Sequence, residues 1–208
     1  MKKKITIFGS TGSIGESTLD IIKHHPDKYE VVGLTANKNY KKLLEQVEIF
    51  KPKVISISDK DSFKNFKNMN NCNVEVLNGE SSYDEILDYD TDLVIAAITG
   101  AIGLMPVVST LKKGITLALA NKESLVCSGM LVTKLAQKKN VKILPVDSEH
   151  NAIYQVLDYK NKSLVSKLIL TASGGPFLNH SYEQLINVTP REAVKHPNWS
   201  MGKKISID

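Results

Sequence analysis

Two carboxylates follow an apolar run in the stretch LPVDSEHNAI, which covers residues 144–153. Asp147 and Glu149 stand two positions apart, and on the extended end of a strand residues with that spacing point to the same side. Two convergent hard oxygens suit Mg²⁺ or Mn²⁺, and the sequence has no Cys/His set for zinc. Two carboxylates are too few for a closed site, so a cation would also need substrate oxygens, water or a third acid. The structural alternative is that Ser148 caps a helix and both acids only favour its dipole.

A glycine-rich turn, GSTGSIG at residues 9–15, follows the first predicted strand and opens the first predicted helix. Glycines there permit a tight turn, close approach of the backbone to a pyrophosphate, and close packing of helix on strand. The N–H groups at the helix start can then hold the phosphates. The GxxGxxG spacing differs from GxGxxG, and a turn without a ligand is the alternative, but its place at the first strand favours a dinucleotide.

The residues after the second predicted strand favour NADP over NAD. That position has no acidic residue to bind a ribose 2′-hydroxyl. Asn37, Lys38 and Asn39 stand there instead, and a loop with a cation and amides suits a 2′-phosphate. An ordinary polar loop before a helix is the alternative.

Three further polar residues, Asn121, Lys122 and Glu123, follow the predicted strand Ile115–Leu119. Open α/β sheets bind ligands at that end of their strands, so these residues are candidate ligand contacts. Taken alone, the triplet fits a helix start equally well, with Asn121 as the cap and Glu123 near the positive end of the helix.

Polar and aromatic residues also gather towards the end of the sequence. Ser173 and the two glycines after it offer a hydroxyl and backbone N–H donors that suit a phosphate, although a plain turn is the alternative. His196 precedes a proline and by itself is more typical of a surface histidine. The loop that contains Trp199 and Met201 has a composition suited to a lid that excludes water.

Short β-branched runs alternate with helical patterns, which predicts an α/β fold with a Rossmann-like, mostly parallel sheet and helices on both faces. The predicted strands are Lys4–Gly9, Val31–Thr35, Val54–Ile57, Val74–Leu77, Leu93–Ile98, Ile115–Leu119 and Val141–Val146. The predicted helices are Ser13–His24, Tyr40–Phe50, Met105–Lys113 and Gly129–Lys138.

The pattern changes after Val146. We predict a nucleotide-binding domain over residues 1–147 and the start of an α+β catalytic domain over residues 148–208, with a helix at Ala152–Asp158 and a long strand at Leu164–Thr171. A domain of about 60 residues with a loop through its middle buries little core, so the second domain is expected to be incomplete in this chain.

The composition narrows the class of protein. The 208 residues carry a formal net charge of +5, but the lysines are scattered, so we expect affinity for small anions and not for nucleic acid. Cys72 and Cys127 lack metal spacing and are expected to be reduced. The N-terminus lacks the apolar region of a signal peptide, and no apolar stretch reaches the roughly 18 residues of a membrane span, so we expect a cytoplasmic protein without membrane contact.

The ordered set of motifs resembles one family, 1-deoxy-D-xylulose 5-phosphate reductoisomerase. The resemblance runs from residue 4 to the end, through GSTGSIG, LANKESLV, PVDSEHNAI, ASGGPF and HPNWSMGKKISID. It implies conversion of 1-deoxy-D-xylulose 5-phosphate, a phosphorylated sugar, to 2-C-methyl-D-erythritol 4-phosphate in non-mevalonate isoprenoid biosynthesis. NADPH and a divalent metal (Mg²⁺, Mn²⁺ or Co²⁺) would be required. The implied chemistry is a retro-aldol and aldol rearrangement followed by reduction of the aldehyde, in a protein expected to be a homodimer at full length.

The resemblance also implies a role for each matching position. The implied NADPH contacts are Thr11, Gly12, Ser13, Ile14, Asn37, Lys38, Asn39, Asn121, Glu123 and Gly202. The implied substrate contacts are Lys122, Ser148, Glu149, Ser173 and His196. Asp147 and Glu149 would be the metal ligands and, with Lys122 and His196, the catalytic residues, while Trp199 would cap the site. Many relatives have glycine where this chain has Asn37.

The sequence departs from the family at its end. In the family KKISID runs on into a segment with another serine, an Asn-Lys pair and a third acidic metal ligand, and these residues are not in the sequence. We therefore expect the 208-residue chain alone to bind NADPH weakly or moderately and to turn over poorly. Two alternatives stay open: another NADP-dependent oxidoreductase, such as a metal-independent one acting on a semialdehyde, and a module that binds NADPH without catalysis.

Overall fold

The computed structural model describes residues 1–69, 73–79, 81–171 and 174–198. The chain divides into two compact units, Met1–Gln155 and a second that begins at Val156. The functional division between residues 147 and 148 stays a prediction. Within the described ranges, every helix is too short or too polar to traverse a bilayer.

The first unit is built on a seven-stranded sheet. Its strands are β1 (Lys3–Phe8), β2 (Tyr29–Ala36), β3 (Val54–Ile57), β4 (Glu75–Leu77), β5 (Leu93–Ala96), β6 (Thr116–Leu119) and β7 (Ile143–Pro145). They lie in the order β4-β3-β2-β1-β5-β6-β7, and every neighbouring pair runs parallel. The predicted Rossmann-like parallel sheet is therefore confirmed.

Helices connect the strands and cover both faces of the sheet, and a further helix follows the last strand. They are α1 (Ser13–His24), α2 (Tyr40–Phe50), α3 (Lys60–Met69), α4 (Ser82–Glu85), α5 (Leu104–Lys113), α6 (Lys122–Lys139) and α7 (Ser148–Val156). One buried apolar cluster includes Leu43 of α2, and the other includes Leu111 of α5. On β1, Ile7 belongs to the first cluster and Phe8 to the second, because successive strand residues point to opposite faces.

Two predicted helices and one predicted strand match the structure to the residue: α1, α2 and β3. Helix α3 has no counterpart in the prediction. Its sequence KDSFKNFKNM is mostly polar and presents only a narrow apolar stripe, of which Phe66 is fully buried. The apolar residues are correctly spaced for a helix, but three in ten are too few to distinguish the segment from a polar loop by composition.

Helix α6 begins seven residues earlier than the predicted start at Gly129. Ser128 leaves helical geometry, with φ −147° and ψ 29°, and kinks the helix there. The predicted helix corresponds to the segment after the kink. The segment before it carries Lys122 and Glu123 in its first turn.

The second unit contains short elements in its described part. They are α8 (Tyr182–Leu185), α9 (Pro190–Ala193) and a 3₁₀ turn at Lys162–Leu164. The predicted strand Leu164–Thr171 is wrong: residues 165–171 have no regular structure, and Ile169 is 70% exposed. A β-branched run forms a strand only when another strand pairs with it, and the described residues pair none with this one.

Candidate cofactor and metal site

The sheet order brings five loops to one edge. The carboxyl ends of parallel strands share an edge, and here β2, β1, β5, β6 and β7 are successive neighbours. The loops that follow them begin at residues 37, 9, 97, 120 and 146 respectively. The chain changes direction across the sheet between β1 and β5, and such a switch point is where open α/β sheets bind ligands. Four strand spacings of about 4.8 Å separate β2 from β7, so this row is roughly 19 Å long.

The glycine turn after β1 contains glycines of two kinds. Gly9 has φ +83°, and a Cβ there would lie 3.0 Å from the Ala97 carbonyl. A Cβ at Gly15 would lie 2.4 Å from the Gly9 oxygen and 2.6 Å from the Ser10 Cα. The fold therefore requires both glycines. Gly12 differs, because its φ is −88° and its Cβ would meet only the Gly9 oxygen, at 3.5 Å. The fold therefore does not require a glycine at this position, and the predicted contact of Gly12 with a cofactor stays a prediction.

The start of α1 has no side-chain cap. Gly12 is the N-cap residue, whereas Asn39 caps α2 and Asn121 caps α6 with their side-chain oxygens. Gly12 and Ser13 are exposed, and Thr11 and Ile14 are half-buried. Uncapped N–H groups and the positive end of a 12-residue helix fit an anionic phosphate.

The loop after β2 is held by its backbone and exposes its side chains. The Lys38 carbonyl oxygen accepts hydrogen bonds from Tyr40 N–H at 2.9 Å and from the Ser62 hydroxyl at 3.2 Å. Asn39 Oδ1 accepts from Lys42 N–H at 3.3 Å. Asn37 and Lys38 are exposed. The loop thus presents a lysine next to the glycine turn.

Asn121 is a positioning residue in this structure. Its side chain is 2% exposed, and its Nδ2 donates to the Ile98 oxygen at 2.6 Å and the Gly100 oxygen at 2.9 Å. Its Oδ1 accepts from Ser124 N–H at 2.8 Å and so caps α6. The side chain is engaged on all sides, so a contact with NADPH would come from the backbone of Asn121. The prediction that this triplet starts a helix is confirmed, and its ligand contacts stay predictions.

Sequence reasoning missed the loop after β5. Glu123 Oε1 accepts a hydrogen bond from Gly100 N–H at 3.2 Å. A Cβ at Gly103 would lie 2.6 Å from the Ile98 oxygen and 2.7 Å from Asn121 Nδ2. The signal was the G-x-x-G pair in ITGAIG, directly after a strand at the switch point. This loop completes the edge between the glycine turn and Asn121.

Asp147 caps α7, which corrects the extended-strand interpretation of the acidic pair and the choice of Ser148 as the cap, while the helix start is confirmed. Strand β7 ends at Pro145 and Glu149 lies in the first turn of α7, so the alternation of an extended strand does not apply. The cap is Asp147 and not Ser148: Asp147 Oδ1 accepts from His150 N–H at 3.3 Å, and its carbonyl accepts from Asn151 N–H at 2.8 Å. Convergence of the two carboxylates on one cation stays a prediction.

The charge of Asp147 is stabilised by its neighbours. Burial raises the pKa of Asp147, but hydrogen bonds from the backbone and ring of His150, and the charges of His150 and Lys122, together hold that pKa below 3.8. His150 Nδ1 lies 2.5 Å from Oδ1, and Lys122 Nζ lies 3.8 Å from Oδ2. This contact connects Lys122, which follows β6, with Asp147, which follows β7.

We expect replacement of His150 by alanine to raise the Asp147 pKa towards 3.8, because the ring hydrogen bond and its charge are lost while the backbone bond remains. A carbon-detected NMR titration of the side-chain carboxyl, without divalent cations, measures this pKa.

Because the folded-state pKa is lowered, ionised Asp147 stabilises the fold above pH 3.8, and this contribution disappears as the pH falls through the folded-state pKa. His24→Ala, a change on α1, is the control and should leave the Asp147 pKa unchanged. An unaltered Asp147 pKa in His150→Ala would contradict the conclusion that His150 lowers that pKa.

The acidic residues fit part of a hard-cation site. Asp147 is ionised at neutral pH, and Glu149 is exposed one residue into α7. Among the described residues, no group of three or more His, Cys, Asp or Glu side chains could hold a metal ion. Two carboxylates suit an open Mg²⁺ or Mn²⁺ site whose other ligands are water, substrate or further acids.

The remaining predicted residues fall in the second unit or outside the described ranges. His196 is half-buried in the second unit, and its Nδ1 accepts from Asn198 N–H at 3.1 Å. Ser173, Trp199 and Gly202 lie outside the described residues. Their roles stay predictions.

Comparison with known proteins assigns the chain to a family. A family model described as 1-deoxy-D-xylulose 5-phosphate reductoisomerase matches residues 5–129, and one described as its C-terminal domain matches residues 143–208. The protein of that name from Thermoanaerobacter pseudethanolicus is 50% identical over 206 residues, which are 99% of this chain and 54% of the relative. The chain thus spans about half the length of the curated relatives it matches.

Solved structures of enzymes with this name are similar to this chain. The Zymomonas mobilis enzyme in complex with NADPH has a TM-score of 0.88 and 40% identity, covering 95% of this chain and 52% of that one. DOX-P reductoisomerase in complex with NADPH, fosmidomycin and magnesium has a TM-score of 0.90 and 43% identity, covering 99% and 54%. Together with the match over residues 5–129, this places the chain in the 1-deoxy-D-xylulose 5-phosphate reductoisomerase family.

Proposed function

We propose that this chain binds NADPH and a divalent cation and forms the first part of an enzyme that converts 1-deoxy-D-xylulose 5-phosphate to 2-C-methyl-D-erythritol 4-phosphate. One observation carries the proposal: the uncapped glycine turn after β1 and the ionised Asp147 after β7 lie on the same sheet edge, three strands apart. That edge can hold a dinucleotide and a cation side by side.

The cofactor would lie along the edge from β2 towards β6. Lys38 would bind the 2′-phosphate, and the N–H groups of residues 11, 13 and 14 would bind the pyrophosphate. The Gly12 N–H donates to the Gly9 oxygen at 3.2 Å, so Gly12 would contribute by letting the pyrophosphate approach the backbone. The Asn121 bonds hold the loop after β5 in place between the turn and α6. The nicotinamide would then point towards β6 and β7.

Substrate binding would use the groups around β7. Lys122 lies beside Asp147 and would contact a substrate oxygen. Ser148 and Glu149 are exposed at the start of α7, where the hydroxyl and the helix N–H groups can orient the substrate. When bound, a divalent cation at Asp147 and Glu149 would supply Lewis-acid polarisation of the ketone, and NADPH would supply the hydride. Ser173 and His196 would contact the substrate, and Trp199 would cover it; these roles rest on the resemblance alone, as do a homodimer and a cytoplasmic location.

The reaction can be tested by extending this chain with the remaining C-terminal residues of the Thermoanaerobacter pseudethanolicus relative. We expect NADPH oxidation that depends on 1-deoxy-D-xylulose 5-phosphate and that stops when a chelator removes the metal. NADPH binding without turnover of this substrate, with metal present, would contradict the proposed reaction. Oxidation that resists the chelator would instead support a metal-independent oxidoreductase.

The preference for NADP can be tested on the 208-residue chain. We expect Lys38→Ala to weaken NADPH binding by roughly 10- to 100-fold, the value of one charge-assisted hydrogen bond, and to leave NADH binding unchanged. Cofactor fluorescence measures both affinities. Lys41→Ala, in the first turn of α2, is the matched control and should leave both affinities unchanged. An equal loss for NADPH and NADH would place the 2′-phosphate elsewhere.

A further inference from the structure

A buried polar cluster lies behind the glycine turn. Ser10, Thr35 and Gln46 are 0%, 2% and 5% exposed. Ser10 Oγ lies 2.7 Å from Gln46 Oε1 and 3.2 Å from the Thr35 oxygen, and donates to either. In return, Gln46 Nε2 donates to the Ser10 carbonyl oxygen at 2.9 Å. The Gln46 amide is therefore paired with Ser10 through both its oxygen and its nitrogen.

Thr35 of β2 holds the same two turn residues from a second side. Its hydroxyl accepts from Gly9 N–H at 2.9 Å, and its carbonyl oxygen accepts from Ser10 N–H at 2.9 Å. The N–H groups of Gly9 and Ser10 are thus bonded to β2, and the carbonyl of Ser10 is bonded to α2.

An amide at position 46 is not needed for packing. Gln46 is the buried polar residue of α2, whose other buried residues are Leu43 and Val47. A buried amide destabilises the fold unless it is hydrogen-bonded, and a leucine or methionine would pack there without that requirement. Its bonds to Ser10 point to a role in shaping the turn.

The Ser10 carbonyl sets the direction of the next N–H group. In a planar trans peptide, the C=O of one residue and the N–H of the next point in opposite directions. Since the Ser10 oxygen points to Gln46 in the interior, the Thr11 N–H points away from Gln46. If this peptide rotated, it would turn the partial negative charge of a carbonyl towards the phosphate and withdraw a donor.

We propose that Gln46 is a positioning residue that keeps the Ser10–Thr11 peptide in the orientation that binds the cofactor pyrophosphate. This inference rests on the proposed binding of NADPH at the turn. When only a fraction of molecules holds the competent turn, the apparent dissociation constant rises by the inverse of that fraction. Loss of Gln46 therefore weakens pyrophosphate binding without removing any group that touches the cofactor.

The test is Gln46→Met, which keeps the size of the side chain and removes both hydrogen-bonding groups. We expect the NADPH dissociation constant of the 208-residue chain to rise roughly 10- to 100-fold, since the Ser10 carbonyl loses its partner. Ser56→Ala is the matched control, because it breaks a buried 2.8 Å hydrogen bond between the hydroxyls of Ser56 and Ser82 on the far side of β2. It should lower the melting temperature and leave NADPH affinity unchanged.

Binding of a second ligand, 2′-AMP, distinguishes a local effect on the glycine turn from a general loss of stability. 2′-AMP has no pyrophosphate, so its affinity should change less than about twofold in Gln46→Met. An equal loss for 2′-AMP and NADPH, or unchanged NADPH affinity with a lowered melting temperature, would overturn the inference. Failure of the unsubstituted chain to bind NADPH would instead overturn the proposed function and the inference with it.

A second substitution keeps the inference testable if Gln46→Met does not fold. Ser10→Ala removes one of the two bonds to Gln46 and leaves the carbonyl bond in place. We expect a smaller rise in the NADPH dissociation constant, about threefold to tenfold. No rise at all would count against the inference.

Discussion

Alanine in place of Gly12 is expected to weaken NADPH binding by about a hundredfold or more and to lower the melting temperature by less than about 4 °C. A Cβ at Gly12 meets only the Gly9 oxygen at 3.5 Å, and φ is −88°, so the fold accepts a side chain there. The exposed methyl group would stand where the pyrophosphate approaches. Loss of one or more charge-assisted hydrogen bonds, each worth roughly 1.5–3 kcal/mol, produces the loss of affinity. The small thermal shift reflects a poorer N-cap.

Gly15→Ala is the matched comparison, in which we expect a large loss of stability. Its Cβ would lie 2.4–2.7 Å from the backbone of Gly9 and Ser10, which cannot move without opening the turn. Overpacking of this kind costs about 3 kcal/mol, or a fall of about 6–12 °C in melting temperature. Thermal melts and NADPH titrations of both variants separate the two effects. A Gly12→Ala chain with unchanged NADPH affinity would mean that the cofactor does not approach the turn.

The sheet was predictable because its central strands are buried on both faces. Such strands are continuous apolar runs, and VISI of β3 is recognisable without its neighbours. The run Leu164–Thr171 is similarly apolar but is not a strand in the structure, because strand formation depends on a pairing partner that a local pattern cannot reveal. Helix α3 was missed for the opposite reason: its few apolar residues become informative only once the sheet face that they cover is known.

The residue types of the candidate site were recognisable in the sequence, whereas its geometry was not. Glycines after a first strand and acids after a last one indicate phosphate and metal chemistry from sequence alone. The sequence could not reveal that Asp147 would be a helix cap, since Ser148 is an equally good capping residue. Nor could it identify Gln46, which looks like any polar residue on an amphipathic helix. Its importance comes from Ser10, which is 36 positions away in sequence and in hydrogen-bond contact in space.

Replacement of Asp147 by asparagine is expected to weaken divalent-cation binding and catalysis strongly while preserving the start of α7. Asparagine is as good an N-cap as aspartate and can still accept from His150 N–H. It lacks the negative charge, so Mn²⁺ affinity, measured by EPR on the 208-residue chain, should fall by about a hundredfold or more, at least as much as for loss of an outer-shell partner. In the extended chain, turnover should fall by about a thousandfold or more, which corresponds to a loss of several kcal/mol of transition-state stabilisation.

The NADPH affinity of the Asp147 variants shows whether Asp147 is a metal ligand or a folding determinant. It should stay within about twofold of the unsubstituted chain in Asp147→Asn, because the glycine turn lies three strands away on β1. Asp147→Ala should lose the same metal affinity and turnover, with a further loss of about 1 kcal/mol of stability, since it removes the cap as well. If Asp147→Asn instead lost NADPH and Mn²⁺ binding together, the carboxylate would be a folding determinant of this sheet edge and not a metal ligand. Retention of Mn²⁺ binding in both variants would place the cation at other residues.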